Sequence, residues 1–171
     1  MNDWSETVPL NALARGPVRR ALRPSEAQLR QTAERLGLVA IEVLVAEVTV
    51  VPWLDGAEVR GDWRARVVQT CGVTLEPFPS DLGGDFSVKA VPAGSPNAPS
   101  EDPEIVIDMD AEDPPDVLPG PDVDIAAYVV EHLALELDPF PRAPGVEFEA
   151  PEPEATLSPF AALSRLKPGG N

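Results

Sequence analysis

The run LVAIEVLVAEVTVV, residues 38–51, is followed across Asp55-Gly56 by EVRGDWRARVV, residues 58–68, and no other stretch restricts the fold as much. The first run is rich in Val and Ile, which suit a packed, pleated surface. It predicts a long strand with both faces partly covered. Asp55-Gly56 is a tight-turn signal. Beyond it the alternation is strict: Val59, Gly61, Trp63, Ala65 and Val67 point one way, and Glu58, Arg60, Asp62, Arg64 and Arg66 the other. That is the pattern of a half-buried antiparallel strand, and the two runs together predict a hairpin.

Carried forward without a bulge, the alternation sets Gln69, Cys71, Val73 and Leu75 on the inward face with Trp63. A free cysteine there behaves as a small apolar residue, while a buried Gln69 needs hydrogen-bond partners. A bulge at Gly72 would instead turn the later residues outward. PFPSDLGGD then reads as a loop and DFSVKAV as a short strand that groups Phe86, Val88 and Ala90.

Helix signals lie on either side of these strands. Ser25 with Gln28 forms a capping box ahead of Leu29, Ala33 and Leu36 on one face, and Gly37 supplies the left-handed end. Asp122 or Asp124 caps DIAAYVVEHLALEL, with Ile125, Tyr128, Val129, His132 and Leu133 along one side; Pro139 stops it at Asp138. The end, SPFAALSRLKPGG, predicts a short helix with Ser158 as N-cap, Pro159 first, and Phe160, Leu163 and Leu166 on one face. At about two turns it is too short to persist alone; a groove-docking segment and a tail folded onto its own domain both take this form.

Strands outnumber helices and follow in hairpin order. The expected class is α+β: an antiparallel sheet or partial β-barrel, two main helices, long acidic Pro-rich loops and the short C-terminal helix. The division expected is one domain over 1–141, a linker over 142–157 and a tail over 158–171. Inside the domain, residues 92–121 hold eight prolines and offer EIVIDMD as the plausible strand, so this stretch is expected to be solvated and partly flexible.

Charge narrows the partners. Against 29 acidic residues stand 13 basic ones, a net −16, and between Lys89 and Arg142 thirteen acids accumulate without one Lys or Arg. Nucleic-acid affinity comes largely from Lys and Arg displacing counterions. The balance therefore speaks against a surface that grips RNA or DNA as a whole and suits basic protein partners. One cysteine and one histidine exclude an intrachain disulfide and a Cys-His zinc cluster. MNDWSETVPL lacks a secretory start, and residues 38–51 are too short to span a bilayer and carry Glu42 and Glu47. A cytoplasmic protein without membrane contact is expected.

The candidate chemistry is sparse. Cys71 and His132 could form a nucleophilic pair, but no orienting third group accompanies them and packing roles are expected for both. Asp108, Asp110, Glu112 and Asp113 could hold Mg²⁺ or Ca²⁺. They lack the central glycine and terminal glutamate of a calcium loop, so a solvated acidic loop is expected, with a metal-dependent RNA-processing enzyme as the alternative. Arg15, Arg19, Arg20 and Arg23 form the basic cluster, suited to local contact with RNA phosphate. Arg60, Arg64 and Arg66 line one strand face, where charge defending a sheet edge explains them equally. No glycine-rich phosphate cradle is present, and no cofactor is expected.

GDWRARVVQTCGVTLEPF, then DIAAYVVEHLALELDPFPRAPG, then PFAALSRLK resembles, in that order, the YceD family of large-subunit ribosomal RNA accumulation proteins, in particular its alphaproteobacterial branch. The resemblance implies a non-enzymatic role in the synthesis, processing or accumulation of that RNA. It marks Gln69, Cys71, Leu75, Glu76 and Pro77, then Asp124, Glu131, Leu133 and Leu135, and in the tail Pro159, Phe160, Leu163 and Lys167. A basic ribosomal protein or assembly factor would be the partner. Many relatives carry C-x-x-C where this chain reads Val68-Gln69-Thr70-Cys71, so no metal or redox pair can form here from that motif. The departure favours packing for Cys71.

Overall fold

The computed structural model describes residues 4–99 and 113–148. The chain runs β1 (Thr7–Pro9), a 3-10 helix (Leu10–Arg15), β2 (Val18–Leu22), α1 (Glu26–Arg35), β3 (Ala40–Trp53), β4 (Gly56–Thr70) and β5 (Pro77–Pro92). After the acidic segment come β6 (Asp116–Leu118), β7 (Asp122–Asp124) and α2 (Ile125–Glu136). Five strands form one sheet in the order β2-β3-β4-β5-β6, antiparallel up to β5 and parallel between β5 and β6. β1 and β7 form a separate antiparallel pair. The class is α+β, and the sheet does not close into a barrel.

The hairpin forms as its sequence predicts, with the turn one residue earlier. Trp53 pairs with Gly56, so the loop is Leu54-Asp55, with a positive φ of 50° at Leu54. Gly56 already belongs to β4, where the backbone of Ala90 and Val91 lies against it. Asp55 braces the turn: its Oδ1 accepts hydrogen bonds from Ser95 Oγ at 3.0 Å and Asn97 Nδ2 at 2.9 Å. The Asn97 contact first, then Ser95, holds the carboxyl below its ordinary range.

Along β4 the burial alternates as expected, from Val59 through Gly61, Trp63, Ala65 and Val67 to Gln69. Gly61 faces Phe86 across the strands, and Trp63 faces Gly84. A methyl on Gly61 would fall 2.5 Å from the Phe86 ring, while Gly84 leaves room for the Trp63 indole. Two aromatic rings are thus accommodated on one sheet face because glycine stands opposite each.

The expected loop at PFPSDLGGD is instead the first half of β5, paired with β4 from Thr70↔Pro77 onward. Only Ala90–Pro92 of this strand pair with β6, so its other edge is unpaired over most of its length among the described residues. Pro77 and Pro79 can stand there because an edge strand needs no outward donor.

α1 starts with the full capping box between Ser25 and Gln28. It ends with Gly37 at φ 67°, where Gly37 N–H reaches the Glu34 carbonyl and Leu38 N–H the Ala33 carbonyl, a Schellman closure. α2 covers the inner sheet face with Ile125, Ala126, Val129, Val130 and Leu133, all buried. His132 stacks on Phe86, ring centroids 4.4 Å apart and 21° between planes. Its Nδ1 lies 2.9 Å from the Tyr128 carbonyl; a carbonyl can only accept, so Nδ1 carries the proton. No helix among the described residues is long and apolar enough to cross a membrane.

A clasp, an acidic groove and an arginine edge

β4 ends at Thr70, so the alternation does not run on to Leu75. Cys71 and Glu76 close a short loop: Cys71 N–H donates to the Glu76 carbonyl and Leu75 N–H to the Cys71 carbonyl, each at 2.9 Å. Gln69 and Cys71 are buried as the alternation requires, whereas Leu75 is 76 % exposed and Glu76 and Pro77 stand in solvent. The correction has a simple cause. A hairpin loop, rather than a bulged strand, follows Cys71 and turns the later side chains outward.

What meets Gln69 and Cys71 is the chain that leaves α2. Gln69 Nε2 donates to the Asp138 carbonyl at 3.5 Å, Gly72 N–H to the Pro141 carbonyl at 2.8 Å, and Ala143 N–H to Cys71 Sγ at 3.4 Å. Thr74 N–H also points at the sulfur, at 3.5 Å. These contacts form a clasp between the β4–β5 loop and residues 138–143, two segments far apart in sequence. Its sulfur has no solvent exposure. Hydrogen bonds to the sulfur, from the Ala143 N–H foremost and then from Thr74 and Val73, draw the thiol down to about 6 against the opposing pull of burial.

Reactivity needs an accessible thiolate, not merely a low pKa. We expect a disulfide reagent to label native Cys71 only at the rate at which the clasp opens, and rapidly once urea unfolds the protein. The pH dependence has a definite sign. A thiol whose folded-state value lies below its ordinary one contributes stability above the ordinary value and loses it as pH falls through about 6. Unfolding midpoints should therefore rise between pH 6 and 9 in the native sequence, and this increment should be missing in Cys71→Ser.

α2 places the second set of marked residues. Asp124 is its N-cap: Oδ1 accepts from Ala126 N–H at 3.1 Å, Ala127 N–H at 3.2 Å and Glu6 N–H at 3.2 Å. One oxygen thus serves the helix start and the chain ahead of β1. Asp124→Ala should lower stability by about 1–2 kcal/mol and Asp124→Asn by clearly less, as calorimetric Tm values would report. Leu133 is fully buried, Glu131 is exposed and Leu135 is 73 % exposed.

Between α2 and β5, a groove of about 690 Å³ runs to the entry of β6. Glu58, Asp113, Asp116 and Glu131 line it, with Lys89, His132 and Leu135. Two of these carboxylates have partners: Glu58 holds Arg60 at 2.6 Å and accepts from Ser87, and Asp116 accepts from Tyr128 Oη at 2.9 Å. Burial, then that contact with Asp116, raises the Tyr128 phenol well above its usual range, so it stays protonated as the donor.

At the opposite edge of the sheet, β2 and its flanks carry Arg15, Arg19, Arg20 and Arg23, all exposed and without a carboxylate partner among the described residues. β4 is a central strand, so its arginines do not defend an edge. Arg60 pairs with Glu58, and Arg66 bridges Glu42 at 3.0 Å and Asp81 at 3.1 Å on the outer sheet face. With a strand spacing of about 4.8 Å, three steps separate β2 from β5 by about 14 Å. Charge along the chain is uneven as well: residues 1–99 hold ten basic and twelve acidic side chains, residues 100–171 three and seventeen.

Cys71 and His132 have separate partners, the clasp for one and the Phe86 ring for the other. Asp108 and Asp110, with Glu112, lie outside the described residues, as do EIVIDMD, the tail helix, Pro159, Phe160, Leu163 and Lys167. Among the described residues no cluster of His, Cys, Asp or Glu could hold a metal ion. Phe140, 79 % exposed beside the clasp, lies between Pro139, which stops the helix, and Pro141, and no periodic pattern singles it out in the sequence. A search of curated proteins and one of solved structures each returned no significant match. A family model, described as large ribosomal RNA subunit accumulation protein YceD, matches residues 59–167. This span contains most of β4, both sides of the clasp and α2, and by it the chain belongs to the YceD family.

Proposed function

We propose that the protein serves the accumulation of large-subunit ribosomal RNA, the role its family carries, by binding a basic ribosomal protein or assembly factor in the cytoplasm rather than by catalysis. The observation that carries this reading is the set of carboxylates along the α2 groove, which lies at the far side of the sheet from the arginines of the β2 edge. A groove whose carboxylates outnumber its one lysine attracts a cationic chain and speeds its encounter. The marked residues Gln69, Cys71, Asp124 and Leu133 act as scaffold, holding α2 and the segment after it in place.

The unpaired arginines favour a second, compatible contact, in which Arg15, Arg19, Arg20 and Arg23 touch ribosomal RNA phosphate locally. The molecule would then bridge RNA and a basic protein. Crosslinking in living cells followed by mass spectrometry tests both contacts. Crosslinks from the α2 side to a basic ribosomal or assembly protein are the expected result. Absence of any ribosomal component, with normal precursor RNA in a deletion strain, would overturn the proposal.

A further inference from the structure

We propose that the loop–clasp end of the molecule is a docking surface for an amphipathic, cationic segment of a partner protein, anchored on Leu75 and Phe140. The inference rests on the reading of this protein as an acidic binding factor and names the kind of segment it binds. Leu75 stands at φ 61°, a left-handed conformation that leucine adopts reluctantly and that asparagine or glycine adopts with ease. Its side chain is 76 % exposed and so recovers nothing from the core. Leu54, at φ 50° and 65 % exposed, shows the same combination at the β3–β4 turn; at Leu75 it stands on the clasp with a second exposed apolar side chain, and that pairing points to a task outside the fold.

Phe140 is 79 % exposed on the other half of the clasp. Both residues are held on short, cross-braced turns. Leu75 N–H donates to the Cys71 carbonyl, Phe140 N–H to Asp138 Oδ1 at 2.8 Å, and Gly72 N–H to the Pro141 carbonyl joins the two segments. Apolar side chains presented on a fixed backbone lose little freedom on binding. Exposed carboxylates flank them in sequence, Glu76 beside Leu75 and Asp138 beside Phe140, with Glu136 on the last turn of α2 and Arg142 as the nearby cation. Apolar anchors within an acidic surround complement a segment with Lys or Arg on one face and apolar residues on the other.

The test uses the full-length protein and two fluorescent peptides of equal charge, decalysine and an amphipathic Lys/Leu helix former. The native protein should prefer the amphipathic peptide by about tenfold, the effect of burying one or two apolar anchors. The double variant Leu75→Asn, Phe140→Ser should abolish the preference and leave decalysine binding unchanged. Leu75→Asn alone should reduce the preference while its Tm equals or exceeds that of the native protein, which separates docking from folding. If decalysine binds but the native protein shows no preference, or the double variant keeps it, the inference falls and the acidic reading survives. If neither peptide binds, both fall. A photo-crosslinker at position 140 in cells should capture a basic segment of another protein; capture of residues 149–171 of its own chain would overturn the inference.

Discussion

Replacing Gly56 by alanine is expected to destabilise the protein by about 3 kcal/mol, a fall of roughly 10 °C in Tm for a domain of this size. A methyl group at this position would lie 2.8 Å from Val91 Cα and closer still to the Ala90 carbonyl oxygen. Both obstacles are backbone, so no side-chain rotation relieves them. The backbone cannot retreat either. Ala57 pairs with Ala90 and Trp53 with Gly56, and Asp55 ties the turn to Ser95 and Asn97. Gly72→Ala is the matching control: its methyl would meet nothing nearer than the Pro141 carbonyl at 3.6 Å. That change should stay within about 0.5 kcal/mol of the native protein. Equal urea midpoints for the two variants would show that the close approach at Gly56 is not what fixes the β3–β4 turn against β5.

The comparison of Gly56 with Gly72 bears on how much of this fold the sequence discloses. Where local chemistry decides, the reading was direct. The Ser25/Gln28 box and the alternation from Val59 to Gln69 involve residues that act on near neighbours, and so does the α2 cap, which the sequence left between Asp122 and Asp124 and the structure gives to Asp124. The first half of β5 was hidden because Pro77, Pro79 and Gly83-Gly84 carry loop chemistry. They are tolerated in a strand only because its outer edge is unpaired and Trp63 fills the space over Gly84. β1, β6 and β7 have three residues each, too few for a period to show. The clasp was out of reach for another reason. Ala143 reaches the Cys71 sulfur through its backbone N–H, which leaves no trace in side-chain pattern, and the resemblance named both motifs without saying that they touch. Phe140 was passed over with them.

Neutralising the free carboxylates of the groove should weaken cationic ligands without harming the fold. Asp113→Asn with Glu131→Gln is the appropriate pair, since Glu58 and Asp116 already serve Arg60, Ser87 and Tyr128. Each exposed charge contributes about 0.5–1 kcal/mol to a cation held close by, so decalysine binding should fall by roughly tenfold. The dependence on salt should flatten at the same time, because fewer charges remain to be screened. Replacing Arg15, Arg19, Arg20 and Arg23 by glutamine should leave decalysine binding unchanged or slightly tighter, since those side chains occupy the opposite sheet edge and share the ligand's sign. The two variants therefore move in different directions on one assay. Were the net charge of −16 attracting the ligand from everywhere at once, removing two charges from the groove would matter little. It would then make no difference which carboxylates were removed, and an equal pair taken from the outer sheet face, Asp62→Asn with Asp85→Asn, would weaken binding just as much.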